Sequence, residues 1–170
     1  MTTNSELLGF QGATGDFFDS LQEEFGATLQ GIHVDEKLAM LSAITFSHAC
    51  GESMSDAIRK LTIDSDTPSQ QRVFRILDGL EEFDGDRQLA FCAALLAQVQ
   101  ESYRLHQQFL RQLTKAGVEE GLASDVATIL ANGGERTQAE CELVSQAWEQ
   151  VFKVDKKLAN RMDAAMGVSE

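Results

Sequence analysis

Residues 86–116 read DRQLAFCAALLAQVQESYRLHQQFLRQLTKA. Within this stretch Leu89, Cys92, Leu96, Val99, Tyr103, His106, Leu110 and Leu113 step by three and four without a break. That spacing puts side chains on one face of a helix, whereas a strand alternates every two residues. The seam lasts about 25 residues, or roughly 37 Å at a helical rise of ~1.5 Å per residue. A second stripe, Phe91, Leu95, Leu105 and Phe109, widens the apolar face. Such breadth fits a central helix buried in a bundle. A sustained heptad seam also fits a surface that receives a second chain. Tyr103 and His106 are its polar members, and a histidine there offers a way to tune a contact with pH.

Outward from this helix, the same three-and-four periodicity continues and strand-type alternation is nearly absent. Thr14 is placed to cap a helix over about Asp16 to Leu29, with Gly31 behind it. Asp35 opens a long helix through about Leu61, interrupted by Gly51. Thr67 fits an N-cap before Pro68, the chain's single proline, and Gln70 can complete a capping box. That helix runs to about Phe83. Asp84-Gly85-Asp86 then breaks the chain, and Asp86 caps the long helix, which stops at Gly117. A short helix begins at Ser124 and ends before Gly133-Gly134, and a last one spans about Glu135 to Met166. The expected fold is all-α, a single-domain bundle of about six helices with long central and C-terminal members. Residues 1–13 read as a flexible N-terminal segment and residues 14–170 as the helical bundle domain.

Acidic residues outnumber basic ones 27 to 14, a net charge of −13. A field of that sign repels phosphate backbones and anionic lipid surfaces, which argues against direct nucleic-acid binding. Val118 to Gly134 has a helix-turn-helix look but contains no Lys or Arg, so it is no DNA reader. No apolar run approaches the ~20 residues that span a bilayer, so no membrane insertion is expected. Met1 to Phe10 has neither a basic nor an apolar region of a signal peptide, which points to the cytoplasm. Cys50, Cys92 and Cys141 are widely spaced and odd in number, so they read as buried, reduced small hydrophobes.

The residue clusters that suggest chemistry resolve into simpler features. His48 and Cys50 are two apart on a helix and point away from each other; His48 and Glu52 share a face but are too few for zinc. Asp64-Ser65-Asp66 and Asp84-Gly85-Asp86 lack the later ligands of a calcium loop, and the second reads as a turn followed by a cap. No Glu-x-x-His, G-x-S-x-G or phosphate-cradling glycine loop occurs. The expectation is a protein that is not an enzyme and carries no cofactor or metal.

Val34-Asp35-Glu36-Lys37-Leu38-Ala39 and Gly85-Asp86-Arg87-Gln88-Leu89-Ala90 open two helices alike. Any good helix start has this form: an acidic cap, a polar turn, then Leu-Ala. The two openings also resemble helix starts in the all-helical N-terminal domain of cyanobacterial orange carotenoid proteins. The resemblance covers those starts alone, without a pigment-binding motif or the Tyr and Trp residues of a pigment tunnel.

The leading functional expectation is a non-enzymatic acidic helical protein that acts by protein–protein interaction, as a regulator, adaptor or assembly factor. Its partner is another protein or a second copy of itself, giving a homodimer. The candidate contact residues are Leu96, Tyr103, His106 and Leu110 on the long helix, with Trp148 and Phe152 on the last. One alternative is a ligand- or pigment-binding bundle, its pocket lying between the helices that open at Asp35 and Asp86. Another is an acidic inhibitor that mimics nucleic acid.

Overall fold

A computed structural model describes residues 15–61, 67–133 and 136–154. Every regular element among these residues is an α-helix, in the order α1 (Asp16–Phe25), α2 (Val34–Cys50), α3 (Met54–Leu61), α4 (Pro68–Leu80), α5 (Gly85–Lys115), α6 (Glu120–Asn132) and α7 (Gln138–Val154). The expected count of about six becomes seven because one expected helix is two. Gly51 adopts the left-handed conformation (φ 70°), and its N–H donates to the Ser47 carbonyl at 2.8 Å. The Glu52 N–H reaches the same carbonyl at 3.3 Å. These bonds close α2 at Cys50, so the glycine ends a helix that was expected to run on to about Leu61.

Other boundaries show which local chemistry sets them. The Thr67 hydroxyl accepts from the Gln70 N–H at 3.3 Å with Pro68 at the first helical position, as the sequence indicates. At α5 the capping carboxylate belongs to Asp84, whose Oδ1 accepts from the Arg87 N–H at 3.0 Å; Asp86 lies inside the helix. At α2 the cap position is His33, whose N–H donates to Glu36 Oε2 at 2.8 Å, one residue pair earlier than an Asp35 cap predicts. Helix α1 stops at Phe25 rather than Leu29. Gly26 and Leu29 both take positive φ there, and Leu29 turns wholly into the core. Helix α6 begins at Glu120, four residues before the expected Ser124. Thr137 starts α7 with a reciprocal box: its N–H donates to Glu140 Oε2 at 2.7 Å, and its hydroxyl accepts from the Glu140 N–H at 3.3 Å. Thr14, residues 1–13 and the stretch of the last helix beyond Val154 lie outside the described residues.

The long helix ends as its sequence suggests. Gly117 (φ 83°) donates to the Thr114 carbonyl at 3.0 Å and the Val118 N–H to the Leu113 carbonyl at 3.0 Å. Leu113 and Val118, the apolar pair that accompanies this termination, are both buried.

The helices group into two compact units, with the boundary between Glu101 and Ser102 on α5. In the first, α2 packs on α3 and α4. Its core holds Phe18, Leu21, Met40, Ile44, Ile58, Ile76, Leu80 and Phe91. Phe18 is the hub of an aromatic group, with ring centroids 5.3 Å from Phe83 and 5.8 Å from Phe91. In the second unit α6 packs on α7, and Leu113, Val118, Val126, Ala127, Val144, Ala147 and Val151 form the core. Small residues on both α6 and α7 allow their close approach.

Candidate functional site

The seam of α5 divides into two rows, each with a step of seven. In the row Cys92, Val99, His106 and Leu113, all but half-buried His106 are buried. In the row Leu89, Leu96, Tyr103 and Leu110, the first three are 52 %, 48 % and 56 % exposed, and Leu110 is half-buried. A helix packed on one side divides a broad apolar face in this way. Its central positions enter the core and its flank stays outside.

Within the first unit the exposed row is Leu89 and Leu96. Ala93 and Gln100 are the uncharged positions between and beyond them on the same face. At the helix start, exposed Asp86 stands on this same face three residues before Leu89, while Arg87 Nε lies 3.8 Å from Asp84 Oδ2 and its guanidinium sits 5.5 Å from the Phe83 ring centre. From Leu89 to Gln100 this face carries no charged residue.

Within the second unit, Tyr103 is exposed and the His106 ring has no hydrogen-bond partner among the described residues. Leu110 and Trp148 are half-buried against the core cluster, so each contributes to packing as well as to the surface. Phe152, four residues after Trp148 on α7, is 43 % exposed. Of the six sequence candidates, Leu96, Tyr103 and Phe152 are therefore each about half exposed. His106, Leu110 and Trp148 are less exposed. Leu89 joins Leu96 as a surface residue; the heptad step between them is the signal that identifies it.

The apparent chemical clusters have structural partners. Gly51 turns the chain between His48 and Glu52, so the two do not share a helix face. Glu52 instead holds Lys60, whose Nζ lies 2.5 Å from both carboxylate oxygens. Among the described residues no three His, Cys, Asp or Glu side chains stand where they could hold a metal ion together. No described helix is long and apolar enough to cross a membrane. Asp64-Ser65-Asp66 lies outside the described residues.

Comparison of the chain with protein-family models, with curated proteins and with solved structures finds no match to any of them.

Proposed function

We propose that this chain is a non-enzymatic protein that acts by binding another protein through the apolar side chains that α5 and α7 leave at the surface. The observation that carries this reading is the split seam. Leu89, Leu96 and Tyr103 are large apolar or amphipathic side chains in heptad register, and each is about half exposed. Single exposed apolar residues are ordinary on a protein surface. A register of them on one helix is the form that helix-mediated contacts take, and aromatic residues such as Tyr103 and Phe152 are typical anchors. The net charge of −13 favours a partner with basic residues, which would speed encounter.

Affinity capture from the native host, run beside light scattering of the purified chain, tests this reading. The expected result is a stoichiometric partner, or a mass twice that of the monomer, lost on Tyr103→Asp. A monomer that captures nothing above background contradicts the proposal.

A further inference from the structure

The glycine that ends α6 differs from those that end α2 and α5. The Gly51 N–H is tied to the Ser47 carbonyl at 2.8 Å, and the Gly117 N–H to the Thr114 carbonyl at 3.0 Å. Gly133 follows Asn132, the last residue of α6, with φ 67° and ψ −166°. Glycine adopts that backbone conformation almost alone. The chain leaves the helix there without a capping bond, and among the described residues the Gly133 N–H has no hydrogen-bond partner of ordinary geometry. The Asn132 side-chain amide has none either. Asn132 is half-buried and Gly133 is exposed, so water reaches the pair.

We propose that the Asn132–Gly133 junction is a site of spontaneous covalent modification, at which the asparagine becomes aspartate and isoaspartate through a cyclic imide. The Gly133 nitrogen attacks Asn132 Cγ. An N–Cγ bond forms, the Cγ–Nδ2 bond breaks, and ammonia leaves with the proton that the Gly133 nitrogen gives up. Water then opens the imide at one carbonyl or the other, giving aspartate or isoaspartate. The balance is one water consumed and one ammonia released, so water is the only co-reactant. Inside a helix the attacking N–H is held by a carbonyl one turn back, and a following side chain crowds it. Here the nitrogen is unheld and its residue has no Cβ. The other two asparagines, Asn4 and Asn160, precede Ser5 and Arg161, whose Cβ atoms hinder the same attack. The new carboxylate stands at the negative end of the α6 dipole, whose last turn holds no basic residue, so it weakens that helix end. Isoaspartate also adds a methylene to the backbone between α6 and α7. The site is independent of the protein contact on α5.

The test is to age the full chain in mildly alkaline buffer beside a synthetic peptide of residues 116–136, which has the same junction without the fold. Tryptic digestion releases those residues from the chain, and Asn132 is the only asparagine or glutamine among them. Mass spectrometry then reads the gain of an amide-to-acid exchange, and chromatography separates the two acid products. The expected result is conversion in the folded chain within about threefold of the peptide rate, since a helix end opens at almost no free-energy cost. Both aspartate and isoaspartate should form, because the imide opens either way. Conversion slower than that margin would show that the fold protects the junction, and aspartate alone would show direct hydrolysis without an imide; either result overturns the proposal. The comparison needs no variant, so it does not depend on whether a substitution at Gly133 folds.

Discussion

Lys37 is the residue whose burial has the sharpest consequence. It lies on the core-facing side of α2 and is 4 % exposed, and burial lowers its pKa from 10.5 to about 8, against the attraction of Glu36. At about 1.4 kcal/mol per pH unit, the charged form carries a penalty on the order of 3 kcal/mol in the folded state. Between about pH 8 and 10.5 the unfolded chain holds this proton and the folded chain releases it, so stability from this residue rises with pH across that window. Lys37→Met should accordingly raise stability by about 2–3 kcal/mol at pH 7. Urea melts at pH 7 and pH 10 should show that gain shrinking at the higher pH; a constant difference refutes the assignment. The cysteines offer a second check. Cys92 is buried and its thiol is pushed up to about 11, whereas Cys50 and Cys141 are exposed. Iodoacetamide at pH 8 should label Cys50 and Cys141 in the native protein and reach Cys92 only on unfolding, as read by mass spectrometry. The spacing of the cysteines predicts three buried small hydrophobes; Cys92 is one, whereas Cys50 and Cys141 are exposed, which corrects that reading. A buried lysine was not legible, because Lys37 sits in an ordinary polar first turn of a helix.

At the scale of the element, the sequence marks where helices stop better than how they join. Pro68 and Gly117 were readable because one residue type does one thing at each. Gly51 was ambiguous, since a lone glycine is compatible with a continuous helix at a cost of only ~1 kcal/mol. The carbonyl of Ser47 decides the matter by accepting from both Gly51 and Glu52. Likewise, Asp84 and Asp86 are equally good caps in sequence, and only the backbone direction selects Asp84. The division of the α5 seam was hidden for a related reason. Periodicity gives the width of an apolar face, and the number of neighbours decides how much of that width is covered. The two rows should respond differently to charge. Val99→Asp places an unpaired carboxylate where the side chain is 3 % exposed and should cost about 3–5 kcal/mol in chemical denaturation. Leu96→Asp should cost about 0.5 kcal/mol, the difference in helix propensity. Equal losses at the two positions would mean that the exposed row is covered by something the fold itself supplies.

For the whole molecule, the all-helical class and the long central helix were legible from periodicity and caps, and the acidic balance from composition alone. The grouping of helices into two units was not, because α5 runs through the boundary at Glu101 without any break in its pattern. The net charge of −13 bears on association more than on folding. If the partner is basic, the rate of complex formation should fall steeply as ionic strength rises from 50 to 300 mM in stopped-flow mixing, while dissociation changes little. The central claim is that the exposed row of α5 is a contact surface and not core, and one paired measurement addresses it most directly. The Leu89→Asp/Leu96→Asp variant is purified, its thermal unfolding recorded, and its co-purifying partner or dimer quantified beside the unaltered chain. The account predicts a melting temperature within about 5 °C of the unaltered protein, since ~1 kcal/mol shifts a chain of this size by only a few degrees, together with loss of the partner or dimer. A variant that fails to fold, or one that folds and keeps its partner, would contradict it.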